Sequence, residues 1–299
     1  MKVLMCPPTY YAIPAVENPH MNVDEQPNIQ KAWLQWVAIV NLYQSLGVNV
    51  YLIEPQEYMW DLVFTANGAW GKNERFLLSN FRMPIRRREK PHYERWLKRL
   101  GYSVFEIPER IFFEGQGDVI TLKDTYLFGY GFRSNPEARD YARELLQLKK
   151  EITPLRLVDS RFYHLDTCAM SLRTKDALIY FPGAFDKESN ERLLALPITR
   201  YEVSDTLAPH FVCNSVWIGN TLLLNIPFDD INEESFWLSA AGTPLKKGGT
   251  RFREIMNHEK EYEPLLDWLW GLGYTIIPVY TSEFRKSGAG VRCLTLFLE

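Results

Sequence analysis

A cysteine, a histidine and several carboxylates are the residues of this 299-residue chain whose types and spacing suit chemistry. Cys293 stands between the glycine-containing turn SGAG and an apolar strand. A cysteine in an apolar strand is usually a small buried hydrophobe, but one that a turn delivers into a strand can be an aimed nucleophile. His164 and Asp166 stand two apart in YHLDTC, so on an extended strand both would project to the same side.

Polar residues at comparable places elsewhere extend this set. Glu114 and Asp118 lie in EGQGD, Asn67 ends FTAN, and Asn214 precedes SVWIG. Each has an ordinary structural explanation when taken singly, because carboxylates and amides next to glycines often stabilise turns. Together they would form a constellation if the fold brings them to one place, and Asp118 then counts among the substrate-binding candidates.

The chemistry of such a constellation favours a cationic substrate. A Cys–His pair can attack an electrophilic carbon and transfer a proton. Neighbouring carboxylates oppose ionisation of the thiol unless a cation lies among them. A guanidinium has a planar fork of N–H donors that suits carboxylate acceptors, although other cations satisfy the same argument. No His/Cys pair has metal-ligand spacing, so we expect no bound metal, and the chemistry of a Cys–His pair requires no cofactor.

A repeated helix-to-strand transition predicts how distant residues meet. LYQSLGVNVYLIE, WLKRLGYSVFEIP and LDWLWGLGYTIIPV each read as the end of a helix, a Leu-Gly stop and a strand. Gly47, Gly101 and Gly273 fit the left-handed position that ends a helix. ELLQLKKEITPLRLVD and ERLLALPITRYEVS are weaker copies, and a pair of strands lies between successive helices. A period of about 50 residues favours a cyclic or stacked array.

The fifth unit predicts that the two ends of the chain pair. Its second strand is missing after RCLTLFL, and the N-terminal KVLMCPP can supply it and close a ring. The fold class expected is α/β, a five-bladed pseudo-symmetric propeller. Polar residues near the starts of equivalent strands would then converge on one axis.

One interval breaks the period. Asn214 and Cys293 are 79 residues apart, and the excess falls in residues 229–252. We interpret this polar stretch either as a lid or binding loop or as a tolerated surface excursion. The domain prediction is therefore one α/β-propeller domain over residues 1–299 with an insertion at about 229–252.

Composition excludes several classes of protein. A net charge of −3 gives no electrostatic case for nucleic acid or an acidic membrane surface. No stretch approaches the about 18 apolar residues of a membrane span, and the N-terminus is not typical of a signal peptide. The four cysteines are widely spaced without a CxxC pair, so we expect a reducing, cytoplasmic location. The sequence leaves a homo-oligomer open.

The repeats, YHLDTC, EGQGD and SEFRKSGAGVRCLT resemble the guanidino-group-modifying superfamily, the pentein fold, over essentially the whole chain. That superfamily includes arginine deiminases, dimethylarginine dimethylaminohydrolases, amidinotransferases and arginine dihydrolases. The resemblance implies that Cys293 is the nucleophile, His164 the general acid/base and Glu114 the carboxylate that partners the histidine. It also implies that Asp166 grips the guanidinium.

One departure indicates a branch of the superfamily. Arginine deiminases end a Phe-Thr-Arg-Asp stretch with a second guanidinium-binding aspartate, where this chain has Asn67. Phe-Thr-Ala-Asn, together with Cys6-Pro-Pro and Asn-Pro-His-Met at 18–21, is similar to the arginine dihydrolase branch. By the same resemblance, the amino-acid end of the substrate would be held by Asn18, Arg86 and Arg133.

The implied reaction is hydrolysis of arginine to ornithine, carbon dioxide and ammonia through an S-amidino intermediate on Cys293. A deiminase or a dimethylarginine dimethylaminohydrolase would stop at citrulline, and an amidinotransferase would pass the amidino group to an amine. A non-catalytic propeller that only binds partners, as in a ribosome anti-association factor, is the alternative from another class. SGAG in place of a triple glycine, the lack of the long C-terminal extension of some dihydrolases and the 229–252 insertion are departures, and the insertion leaves the substrate open.

Overall fold

The structure, a computed structural model, describes residues 1–226, 242–247 and 259–298. In these ranges fifteen strands form five three-stranded sheets with one shared internal order. The middle strand of each sheet pairs antiparallel with a first strand and parallel with a third strand. This arrangement is the predicted five-bladed propeller.

The strands, given blade by blade as first, middle and third, have the following bounds. The first blade has β15 (Leu296–Phe297), β1 (Lys2–Met5) and β2 (Asn49–Leu52); the second has β3 (Ala69–Lys72), β4 (Arg75–Leu78) and β5 (Ser103–Phe105). The third has β6 (Val119–Thr121), β7 (Thr125–Tyr130) and β8 (Glu151–Arg156); the fourth has β9 (Ala169–Leu172), β10 (Ala177–Tyr180) and β11 (Thr199–Glu202); the fifth has β12 (Val216–Ile218), β13 (Thr221–Asn225) and β14 (Thr275–Val279).

A helix connects the middle and third strands of every blade, as a parallel pair requires a crossover. These helices are α1 (Ile29–Ser45), α2 (Lys90–Arg99), α3 (Ala138–Leu145), α5 (Lys187–Ala195) and α6 (Glu259–Gly271). Two single helical turns, α4 (Leu165–Cys168) and α7 (Ser282–Arg285), lie before β9 and after β14.

The helix α1 shows why these residues become helical. The Asn28 side chain accepts a hydrogen bond from the Lys31 amide and caps the N-terminus. Ala32, Trp36, Ile39 and Tyr43 are buried at helical spacing, so one apolar stripe packs on the propeller.

The predicted helix stops are confirmed. Gly47, Gly101 and Gly273 have φ of 75°, 86° and 83°, the left-handed region that glycine adopts without a Cβ penalty. Gln147 takes this conformation after α3, with φ 53°, whereas α5 ends without such a residue. The two weaker copies of the repeat therefore end their helices differently.

Pairing of the chain ends is confirmed as well. β1 pairs antiparallel with β15, and Val3 lies opposite Phe297 and Leu4 opposite Leu296. Val3 and Leu4 are fully buried, so the strand that closes the ring also belongs to the core.

The prediction that the site residues lie on extended strands is wrong for three of the five blades. Short helical turns precede three of them, at Thr65–Gly68, Gly115–Gly117 and Leu165–Cys168. His164 and Asp166 therefore do not share one side of an extended strand, because the chain turns helically between them.

Except for residues 242–247, the predicted insertion at 229–252 lies outside the described residues. The one-domain prediction stays a prediction. A membrane-crossing helix, long and apolar enough to span a bilayer, does not occur in the described ranges.

Candidate active site

The turns that precede the first strands, together with the SGAG turn, build one pocket. Most of the predicted site residues line it: Asn18, Asn67, Arg86, Arg133, His164 and Cys293. Asp166 and Glu114 contact these residues without lining the pocket. Residues from all along the chain therefore meet in one pocket.

Cys293 is buried and held by an amide that had no assigned role. Asn214 Nδ2 donates to Cys293 Sγ at 3.1 Å. Asn214 Oδ1 accepts from the backbone N–H groups of Gly290 at 2.8 Å and Cys293 at 3.2 Å. Asn214 thus fixes both the turn and the sulfur. The sequence feature that indicates Asn214 as a site residue is its position before the first strand of the fifth blade, which is equivalent to the position of Asn67 in the second blade.

The carboxylate of Asp166 lies beside the sulfur, with its oxygens 3.6 Å and 3.8 Å from Sγ. Burial and the Asp166 charge raise the pKa of the Cys293 thiol, although the Asn214 hydrogen bond opposes them. Burial also raises the pKa of Asp166 to about 7, while the charge of Arg292 opposes it. Each group therefore disfavours ionisation of the other, and a cation bound beside them would favour both anions.

His164 and Glu114 form the second pair of the site. The His164 Nε2 atom lies 2.8 Å from Glu114 Oε2. Burial opposes ionisation of Glu114, yet Arg133 and the histidine hydrogen bond hold its pKa well below its usual range. The Arg82 amide donates to the other oxygen at 3.1 Å. Glu114 is therefore an ionised acceptor that orients the imidazole.

Asp118 does not reach the pocket. Its oxygens accept from Ser134 Oγ at 2.6 Å and from the Leu165 amide at 3.2 Å. Ser134 Oγ in turn accepts from the Glu114 amide at 3.0 Å. Asp118 thus ties the Glu114 turn to the residue after His164, and the structure does not place it where a substrate would bind.

Asn67 has one satisfied and one unsatisfied end. Its Oδ1 accepts from Arg86 Nη1 at 2.9 Å. Its Nδ2 is buried and has no hydrogen-bond partner among the described residues. A Cβ on Gly117 would lie 2.3 Å from Nδ2, so glycine is needed there for the amide to fit. Asn67 thus lines the pocket with an amide nitrogen whose hydrogen-bonding capacity is unused among the described residues.

Arg86 is fixed by neighbours other than Asn67. Glu89 binds the guanidinium with both oxygens, at 2.8 Å and 2.9 Å. Arg133 lies across the pocket, 3.5 Å from Glu114 Oε2, and donates to the Glu17 carbonyl at 3.0 Å. Asn18 Nδ2 donates to the Ser287 carbonyl at 3.1 Å, so it holds the turn before Cys293. The structure brings Asn18 and both arginines to the pocket.

Asp61 is a pocket residue that sequence reasoning missed. It lines the pocket with Arg86 and Arg133. Burial raises the Asp61 pKa against the opposing charges of both arginines, and burial raises the pKa of nearby Glu17 to about 7. Its only sequence signal is its place six residues before Asn67, in DLVFTAN. A carboxylate among arginines at the pocket wall suits a zwitterionic ligand, whose ammonium and carboxylate need opposite charges.

Several known proteins are similar to this chain in sequence. The model of the family "N,N dimethylarginine dimethylhydrolase, eukaryotic" matches residues 12–223. AgrE of Nostoc sp., a bifunctional arginine dihydrolase/ornithine cyclodeaminase, is 32% identical over 99% of this chain and 37% of its own length. The N(G),N(G)-dimethylarginine dimethylaminohydrolase of Mycobacterium tuberculosis is 35% identical over 98% of this chain and 84% of that protein. This chain thus spans well under half of AgrE.

Solved structures give the same result. The N-terminal domain of an ArgZ variant, covalently bound to a reaction intermediate, superposes with a TM-score of 0.81 at 29% identity. The match covers 99% of this chain and 96% of that domain. Five blades around a Cys, a His and carboxylates define the guanidino-modifying pentein superfamily. Within it, this chain belongs to the dimethylarginine dimethylaminohydrolase family.

Proposed function

We propose that this chain is an arginine dihydrolase that converts L-arginine to L-ornithine, carbon dioxide and ammonia by covalent catalysis at Cys293. The single observation that carries the choice within the family is the Asn67 amide, whose buried Nδ2 has no partner among the described residues. An N–H at this place suits a neutral ureido oxygen, whereas an aspartate could only accept. The arginine dihydrolase activity that the names of AgrE and ArgZ state supports the proposal.

The substrate would bind with its charges matched to the pocket. Its α-carboxylate pairs with Arg133 and Arg86, and its α-ammonium with Asp61. The guanidinium lies against Asp166, close to the sulfur of Cys293. This cation lies beside both groups, so substrate binding favours the thiolate and the ionised carboxylate together.

The first half of the reaction would cleave one C–N bond. The Cys293 thiolate attacks the guanidinium carbon, and His164, held by Glu114, protonates the departing nitrogen, which leaves as ammonia. The product is an amidino group bonded to sulfur. His164 then takes a proton from a water that attacks the same carbon, and the C–S bond breaks to give citrulline.

The second half would repeat these steps on the bound ureido group. Asn67 Nδ2 donates to the ureido oxygen while the thiolate attacks, and a second ammonia leaves. Water then releases the remaining carbonyl carbon as a carbamate, which loses carbon dioxide to give ornithine. The chain supplies each acid, base and nucleophile of this scheme.

The test is the number of ammonia molecules released per arginine. A dihydrolase releases two and a deiminase one, because the second hydrolysis frees the remaining terminal nitrogen. The protein should be assayed in parallel with dimethylarginine, since the family model and the mycobacterial relative favour a dimethylarginine dimethylaminohydrolase as the second candidate. Dimethylamine and citrulline formed faster than ornithine from arginine would support that candidate instead.

We place the enzyme in a reducing compartment, the cytoplasm, because all four cysteines are unpaired.

An amidinotransferase would need an amine acceptor beside the sulfur. Product analysis in the presence of added glycine separates this outcome, since only a transferase would form a guanidino derivative of the added amine.

A further inference from the structure

A second cavity lies on the propeller axis, separate from the substrate pocket. It has a volume of about 140 Å³ and is lined by residues of the first strands of all five blades. Asp166 lines this cavity, whereas Cys293 lines the substrate pocket. The Asp166 carboxylate, 3.6 Å from the sulfur, thus stands between the two spaces.

The charged lining of this axial cavity is unbalanced. Three cationic side chains, those of Lys72, Arg173 and Arg292, line the cavity together with the N-terminal residue Met1 and one carboxylate, that of Asp166. Arg292 donates to neutral acceptors, the Thr295 carbonyl at 2.7 Å and Gln116 Oε1 at 3.1 Å. Within the described part of the chain none of the three cations forms a direct ion pair. A concave surface with unpaired cations attracts a small anion.

The remaining lining of the axial cavity is partly aromatic and apolar, with Trp70, Met170, Trp217 and Phe297, and partly polar, with Gln116, Ser171 and Ser215. The volume of the cavity is close to the about 150 Å³ of an apolar cavity that binds benzene. Trp70 is buried and Trp217 is half-buried, whereas Arg173 is exposed, so both rings are less accessible than this cation. A ligand with a charged end and a ring-sized apolar body fits both features.

We propose that the axial cavity binds a small monocarboxylate with an apolar body, at a site distinct from the substrate pocket. The carboxylate pairs with Arg173 and Lys72, and the apolar body packs between Trp70 and Trp217. This site does not depend on which guanidino compound the enzyme hydrolyses.

Calorimetric titration of the full chain with benzoate tests the proposal. Benzamide, a neutral molecule of the same size, is the control ligand. We expect benzoate to bind at one site and benzamide to bind about tenfold more weakly, because the charged end loses its cationic partners. Inorganic phosphate that bound as tightly as benzoate would show a simple anion site and would overturn the role of the apolar walls.

Variants assign the site. Arg173→Gln and Lys72→Gln should each weaken benzoate binding about fivefold or more, because each removes one charge-assisted contact. Lys175→Gln, two residues from Arg173 and outside the cavity lining, should leave binding unchanged. Absence of benzoate binding at millimolar concentration would overturn the proposal. So would binding that is lost in Arg133→Gln but kept in Arg173→Gln, because benzoate would then occupy the substrate pocket.

Discussion

Replacement of Asn67 by aspartate should decide how far hydrolysis goes. The change is nearly isosteric, and the oxygen that accepts from Arg86 Nη1 at 2.9 Å is kept. What changes is the other atom, Nδ2, which is buried and has no partner among the described residues. In Asn67→Asp this donor becomes an acceptor. The neighbouring Arg86 favours the charged form, so the new carboxylate should be ionised at neutral pH.

The magnitude follows from the chemistry of the ureido oxygen. An acceptor that faces another acceptor in a buried site costs roughly 1–3 kcal/mol. The partition between a second attack and release of citrulline should therefore shift about 5- to 150-fold toward citrulline. The first hydrolysis should persist, because an added carboxylate does not weaken binding of a cationic guanidinium.

The assay is the ratio of ornithine to citrulline formed from arginine by Asn67→Asp and by the unaltered chain. Mass spectrometry of quenched samples keeps the first step visible, since an adduct on Cys293 forms even if turnover is slow. Asn73→Asp is the matched control, because Asn73 is exposed in the turn between β3 and β4. An unchanged ratio in Asn67→Asp would refute the reasoning.

Further predictions concern the thiol, its carboxylate neighbour and the ring. Cys293→Ser should abolish turnover and adduct formation while the thermal unfolding temperature stays close to that of the unaltered chain, and normal turnover would exclude covalent catalysis at this residue. Asn214→Ala should slow alkylation of Cys293 by iodoacetamide about 10- to 100-fold near pH 8, since loss of a hydrogen bond to the thiolate costs about 1.5–3 kcal/mol; an unchanged rate would show that the amide does not stabilise the thiolate. The KM for arginine should fall as pH rises through about 7, because Asp166 with its pKa raised to about 7 is neutral below and ionised above that pH; Asp166→Asn should remove this dependence. Deletion of residues 1–5 should lower the unfolding temperature of the whole chain in one cooperative transition, because β1 lies between β15 and β2; unchanged melting would contradict closure of the ring.

The fold was predictable because its signals are local and repeated. Leu-Gly stops followed by strands mark the units, and Gly47, Gly101 and Gly273 adopt the backbone conformation expected of them. The missing strand after Cys293 indicated that the two ends pair. Each of these signals can be read within a short stretch of sequence, without knowing which distant side chains it contacts.

The sequence indicated which residues come together in the pocket, but not how they are arranged, and their roles stay predictions. His164 and Asp166 were expected on one side of a strand, but a helical turn at Leu165–Cys168 separates their directions. Asp118 looked equivalent to Glu114 by spacing, yet its oxygens are used by Ser134 and the Leu165 amide. Four-residue turns leave little periodicity in a sequence, so a strand continuing upstream was the natural interpretation.

Two roles could not be assigned from the sequence, that of Asn214 and that of Asp61, because they depend on contacts between distant segments. Asn214 acts on a sulfur 79 residues away in sequence. Asp61 becomes a candidate for substrate binding only when the fold brings it into the same pocket as Arg86 and Arg133. Long-range pairs of this kind become visible when the ring closes.

The fate of the guanidino carbon tests the central claim most directly. Arginine that is isotopically labelled at this carbon should be incubated with the protein and followed by nuclear magnetic resonance, with Cys293→Ser as the inactive control. The account predicts that the label ends in carbon dioxide and bicarbonate while unlabelled ornithine accumulates. Label that stays in citrulline at the end of the reaction would contradict a dihydrolase and leave an enzyme that stops after one hydrolysis.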